Sequence, residues 1–226
     1  MPASDEQIAR DTEGDWIAFS SLDRMKSHWD RPGWWPGRRA YYWYLTFASE
    51  PKLHEIAAQC QAELESPHFD LVALTDLHMT IERIAFEDEI DMSILERVAS
   101  AAREACRALP QLPLHIGPLA GSSGAISFSA SPHAVIGQLR DTLVAATKTI
   151  LGEANAPHNA RFRPHVGIAY CNRDVAAGPI IDTIRRIRRR MPIIDANVHA
   201  ASLVALTREQ NAYRWIEQFK IPFDLL

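Results

Sequence analysis

Apolar and polar positions alternate between two periods along this chain, and the switches between them mark the elements. Residues 41–47 are aromatic and β-branched and predict a strand. Over residues 50–65, Leu53, Ile56, Ala57 and Leu64 recur at helical spacing. Residues 71–85 predict a second strand. Asp91 or Ser93 then caps a helix running to about Leu109, with Ile94, Leu95, Val98, Ala101, Ala102 and Ala105 on its buried face. Residues 112–119 and 125–130 read as a hairpin, 132–151 as a helix opened by Pro132, and 152–164 as a loop. A strand over 165–171, a helix over 176–190 and strands near 198–206 and 213–221 complete the pattern. Strand-helix-strand-helix-strand followed by strand-helix-strand-helix-strand-strand implies an α+β fold. Its two similar half-units carry antiparallel sheets with helices on their outer faces.

Residues 1–39 stand apart. They are polar at first and then carry Trp16, Trp29, Trp34 and Trp35 among the turn-prone Arg31-Pro32-Gly33 and Pro36-Gly37. The expectation is a Trp-rich N-terminal extension (1–39), acting as an apolar clasp over the core, ahead of a single domain (40–226). With 226 residues, 47% of them hydrophobic, the chain can bury a sizeable core. No apolar run approaches the roughly 20 residues that span a bilayer, and the N-terminus does not read as a signal peptide. Cys60, Cys106 and Cys171 lack CxxC spacing and read as reduced, buried thiols of a cytoplasmic protein. A net charge of −4 gives no global electrostatic case for gripping long nucleic acid. Five arginines among residues 185–190 suit a helix C-terminus better than an RNA track.

Candidate chemistry lies in two short segments, Leu77-His78-Met79-Thr80-Ile81 and Pro164-His165-Val166-Gly167-Ile168. Each sets a histidine at the start of an apolar strand, and two imidazoles brought together can exchange protons with a nucleophile and a leaving oxygen. In a regular strand His78, Thr80 and Glu82 share one face. A hydroxyl two places after a histidine can hold a phosphoryl oxygen beside it. Gly167 stands where the second segment would repeat Thr80. Arg163 shares the face of His165, held extended by Pro164. Tyr42 and Tyr44 share a face and can stack a base, whereas strict alternation puts Tyr170 opposite His165. The other histidines lack metal-ligand spacing, and no HExxH, P-loop or GxGxxG is present, so neither a metal nor a cofactor is expected.

The segments Arg31-Pro32-Gly33-Trp34-Trp35-Pro36-Gly37-Arg38-Arg39 and Tyr42-Trp43-Tyr44-Leu45-Thr46-Phe47 join these two, extended to Phe162–Tyr170, in a resemblance to a known family. The chain resembles the 2H phosphoesterase superfamily, in particular its 2′-5′ RNA ligase-like members. The resemblance implies a bilobal fold with a central cleft and two His-x-Ser/Thr motifs facing across it. It also implies metal-independent action on a 2′,3′-cyclic phosphate or a 2′-5′ linked oligonucleotide, with a small nucleotide or short RNA as substrate. His78 and Thr80 match the first motif and His165 the histidine of the second, while Gly167 departs from it. These three are the expected catalytic residues, with Gly167, Arg163, Tyr42, Tyr44 and Tyr170 at the substrate. Both histidines are expected to titrate near the unperturbed value of about 6.5. Loss of one oxyanion donor costs roughly 2.7–4 kcal/mol, which leaves three readings of Gly167. Arg163 or a backbone N–H replaces the hydroxyl, the pocket is reshaped for another substrate, or the protein binds nucleotides without turnover. The rival functions are therefore a nucleotide- or RNA-binding module and an enzyme of specialised metabolism reusing the two histidines on a phosphate-free substrate.

Overall fold

The computed structural model describes residues 5–64, 67–153 and 162–223. The first half holds α1 (Asp5–Ser20), β1 (Arg24–Met25), β2 (Arg39–Thr46), α2 (Pro51–Glu63), β3 (Phe69–Leu71), a 3-10 turn (Leu74–Asp76), β4 (His78–Phe86) and α3 (Met92–Cys106). The second holds β5 (Leu112–Ser122), β6 (Ala125–Ser131), α4 (His133–Leu151), β7 (His165–Cys171), β8 (Val175–Ala176), α5 (Gly178–Arg188) and β9 (Ile194–Val198). The chain closes with β10 (Ala200–Arg208) and β11 (Tyr213–Pro222).

The fold is α+β, with two antiparallel sheets of order β11-β10-β2-β4 and β3-β7-β6-β5-β9 and a small ribbon of β1 with β8. The run β2-α2-β4-α3 corresponds to β6-α4-β7-α5, so β4 and β7 occupy matching places and each opens on its histidine. The halves are interlocked rather than set side by side. From α2, the Gln61 amide donates to the carbonyls of Val72 (2.7 Å) and of Ile168 in β7 (2.9 Å). From α4, the Thr147 hydroxyl accepts from the Trp43 indole of β2 at 3.0 Å, and Arg140 pairs with Glu82 of β4. One apolar core runs through both sheets, and a smaller cluster of Trp34, Ala40, Tyr44, Val204 and Leu206 lies on the cleft face of the first.

Three boundaries differ from the sequence pattern. The strand expected over 71–85 is two strands in different sheets, since β3 pairs with β7 and the 3-10 turn delivers the chain to β2. The strand near 198–206 likewise begins as β9 beside β5 and changes sheet at His199 to become β10. Apolar residues continue through both junctions, so periodicity carries no mark of the switch. The helix expected from 176 begins only at Gly178, because Val175 and Ala176 pair with β1. Within the expected loop 152–164, residues 154–161 lie outside the described residues.

Helix α1 had no counterpart in the sequence reading. Its buried stripe is Ile8, Thr12, Asp15 and Phe19, at helical spacing but half polar, which hides it from a search for apolar periodicity. The polar members are used. Asp15 Oδ2 accepts from the buried Ser129 hydroxyl at 2.5 Å, while Asp11, on the flank, accepts the His133 N–H at 2.8 Å and caps α4. Phe19 lies so close to β5 that a Cβ on Gly121 would stand 2.8 Å from its ring and 2.7 Å from the Ala125 carbonyl. Gly121→Ala is therefore expected to lower stability by about 1–3 kcal/mol through overpacking. Gly137→Ala, on α4 with open space around it, is expected to raise stability by about 0.5–1 kcal/mol. Urea unfolding of the two variants checks this pair, and equal midpoints would contradict the packing of α1.

Candidate functional site

Both histidine strands break step at the same distance from their histidine. In β4, Tyr44 pairs with Thr80 and Trp43 with Glu82, so Ile81 is an extra residue. In β7, Ser127 pairs with Gly167 and Ile126 with Ala169, so Ile168 is the extra one. Each is a β-bulge three places after the histidine, and each reverses the alternation beyond it. The cleft face therefore carries His78, Thr80 and Arg83 on one side and His165, Gly167 and Tyr170 on the other, while Ile84, Ala169 and Cys171 are buried. Two expectations are corrected by these bulges. Glu82, still on the cleft wall, is tied to Arg140 of α4 and is out of step with His78 and Thr80, and Tyr170 joins the face of His165.

The histidines are held alike. His78 Nδ1 lies 2.7 Å from the carbonyl oxygen of Asp76, and His165 Nδ1 lies 2.7 Å from that of Arg163. A carbonyl only accepts, so Nδ1 carries the proton in both rings and the bare Nε2 is left for chemistry. Both also depart from the expected ordinary titration. Burial drives His78 down to about 4 against the opposing pull of the Asp76 carbonyl, with the charge of His165 lowering it further. Burial lowers His165 too, helped by the Arg163 guanidinium. Near pH 7 both rings are neutral, because a low-dielectric site disfavours their charged forms.

These side chains line a cleft of about 840 Å³ between the sheets, with a chamber of about 310 Å³ behind it that shares His78, Tyr170 and Tyr213. Tyr42 lies in the cleft wall, near Trp34 (6.4 Å between ring centres), and Trp34 approaches Phe86 at 5.7 Å. Tyr44 is unavailable to a base, which corrects that part of the sequence reading. It is fully buried and its ring stacks on His78 at 4.1 Å and 9°, so it is the shelf under that imidazole. Thr80 is a hydrogen-bond partner of its phenol. Arg163 lines the cleft, but its guanidinium donates to the Gly121 carbonyl at 3.3 Å and lies 3.5 Å from the buried Asp15 carboxylate.

The sequence reading missed His28, Arg31 and Arg83. His28 is neutral, pushed down to about 2 by burial and by Arg31 and Arg208. Its Nδ1 accepts from Arg31 at 3.2 Å and its Nε2 meets the Tyr213 hydroxyl at 3.1 Å. Arg31, exposed, brings its positive charge to bear on His165, Tyr170 and Tyr213. His28 carried no spacing signal, whereas Arg31 lay inside a segment already tied to the family. The arginine run of α5 is occupied elsewhere: Arg185 pairs with Asp182, Arg188 bonds the Leu119 carbonyl and covers Trp16, and Arg190 pairs with Glu63. Among the described residues no group of three or more His, Cys, Asp or Glu side chains is arranged to hold a metal ion, and no helix is long and apolar enough to cross a membrane.

Two antiparallel sheets, each presenting a strand-opening histidine to one shared cleft, define a bilobal α+β class. The chain belongs to the 2′-5′ RNA ligase superfamily, whose family model matches residues 44–210. No curated protein sequence matches it. Among solved structures it is similar to TT0787 of Thermus thermophilus, at 14% identity and a TM-score of 0.62, covering 81% of this chain and 97% of that one. It is also similar to E. coli LigT complexed with 3′-AMP, at 15% identity and a TM-score of 0.61, covering 82% and 98%. A third is ATU0111 from Agrobacterium tumefaciens, a conserved protein of unknown function, at 11% identity and a TM-score of 0.59, covering 98% and 100%.

Burial of His78 makes stability depend on pH. The folded ring takes its proton at about 4, an unfolded histidine at about 6.5. Its contribution is therefore complete above about 6.5 and lost as pH falls toward 4, at about 1.4 kcal/mol per pH unit. Urea unfolding between these limits is expected to show that much less slope in His78→Gln than in the parent. Parallel slopes would contradict the burial of the ring.

Proposed function

We propose that this protein is a phosphodiesterase that acts on a 2′,3′-cyclic phosphate or a 2′-5′ linked oligonucleotide through His78 and His165, without a metal. The observation that carries this reading is the repeated hold on the two rings, which leaves two Nε2 atoms of the same tautomer at one cleft. In hydrolysis of a cyclic phosphate, one neutral Nε2 takes a proton from water as the water oxygen bonds to phosphorus. The other ring, protonated, gives its Nε2 proton to the sugar oxygen as its bond to phosphorus breaks. The Thr80 hydroxyl donates to a non-bridging oxygen and Arg31 offsets the negative charge. Trp34, Tyr42 and Phe86 form the aromatic wall for a base. The occurrence of a mononucleotide in the similar LigT structure is in keeping with a ligand of this size.

The acid must be charged and the base neutral, and burial lowers both rings. In the free enzyme that combination is favoured below about pH 6.5. A bound phosphodiester anion favours the charged form of each ring and raises both. The kcat/KM profile is therefore expected to fall on the alkaline side from below about pH 6.5, and kcat from a higher pH. With EDTA present, His78→Ala and His165→Ala are each expected to lower kcat on 2′,3′-cyclic nucleotides or 2′-5′ dinucleotides about 10²–10⁴-fold. Turnover that survives both substitutions would overturn the reading. Binding of 3′-AMP with no turnover of either substrate would mark a binding module, the rival that Gly167 favours.

A further inference from the structure

The histidine strands match in the histidine, the carbonyl that holds it and the bulge three places on, but not in the hydroxyl between them. Residue 80 is a threonine and residue 167 a glycine, each two places after its histidine and facing the same cleft. Among the described residues a Cβ on Gly167 would meet only Tyr170 within 4 Å, standing 3.8 Å from its hydroxyl and 4.0 Å from its ring. The space toward which a side chain at 167 would point is thus bordered by a phenol that arrives from three residues further along the same strand.

Tyr170 gets there because of the bulge, and the bulge is fastened. The Ile168 carbonyl accepts from both the Val72 N–H (3.0 Å) and the Gln61 amide (2.9 Å). The ring is then clamped, with His28 across its face at 4.2 Å and Trp29 and Tyr213 at its edges (5.3 and 5.4 Å). Its hydroxyl makes no hydrogen bond with any described residue, although the clamp fixes where it points. Burial raises the phenol above its ordinary range, so it remains a donor at every working pH. Of the other groups that could replace the missing hydroxyl, Arg163 is drawn off by Asp15 and the Gly121 carbonyl.

We propose that the Tyr170 hydroxyl donates to a non-bridging phosphoryl oxygen in place of a residue-167 hydroxyl, opposite Thr80. This rests on the two-histidine phosphodiesterase reading. It makes Tyr170 a catalytic residue, one that contributes a hydrogen bond and moves no proton.

The test uses turnover of a 2′,3′-cyclic nucleotide with EDTA present, together with calorimetric binding of inorganic phosphate. Tyr170→Phe retains the clamped ring and is expected to lower kcat about 10²-fold, the usual loss of one oxyanion donor. Phosphate affinity should fall at least about tenfold, as for one hydrogen bond to a charged group. Gly167→Ser, for which the structure has room, is expected to restore at least about tenfold of the lost kcat in the Tyr170→Phe background. Thermal unfolding of Tyr170→Phe at the parent's temperature separates a lost donor from a lost fold. If Tyr170→Phe leaves both kcat and phosphate affinity unchanged in an enzyme that needs both histidines, the proposal is overturned and the phosphodiesterase reading stands. If the parent binds phosphate without turnover, that reading fails instead, and phosphate affinity alone decides the contact.

Discussion

The cleft depends on an inserted residue at the same place in two strands. Were Ile81 and Ile168 paired in regular register instead of bulged, alternation would carry Arg83 and Tyr170 into the core and aim Ala169 at the cleft. In β7 the extra residue is no slack in the backbone, because its carbonyl carries two hydrogen bonds, one from the chain beside β3 and one from α2. Holding that carbonyl fixes which residues meet a ligand and couples the cleft to a helix of the opposite half.

Electrostatics follows from the same closeness. Tyr44 covers one face of His78, and Tyr170 borders the space beside Gly167, so the rings are half-buried and stay neutral. Positive charge enters through Arg31, on the segment before β2, and through Arg83. The one carboxylate from α1 that reaches this region, Asp15, is buried behind His165, where it engages Arg163 and Ser129 without entering the cleft. The cleft therefore gathers arginines, phenols and neutral imidazoles, with the Glu82 carboxylate on its wall tied to Arg140.

What could be read in the chain was what repeats at fixed intervals. The α+β class, the two histidine strands and the helices of the two half-units followed from apolar spacing, and Leu53, Ile56 and Ala57 or Leu95, Val98 and Ala102 are buried as that spacing implies. What escaped was interruption. A bulge between apolar neighbours such as Ile168 and Ala169 leaves the hydrophobic pattern intact while turning Tyr170 through half a turn. Helix α1 escaped because Thr12 and Asp15 occupy buried positions that pattern reading assigns to solvent. The titration of His78 and His165 escaped because burial belongs to the tertiary structure, and no local sequence feature records it.

The short strand β3 has a consequence beyond the shape of the cleft. It is encoded with the first half, between α2 and β4, yet its hydrogen bonds belong to the sheet of the second half. The last two strands make the reverse loan, following β9 in sequence but completing the sheet of β2 and β4. Each half therefore holds backbone that the other needs, and a fragment carrying either alone would expose an unpaired sheet edge of the kind that invites aggregation. Although the halves repeat one another, the smallest heritable unit is the interleaved pair, and the two walls of the cleft cannot vary independently.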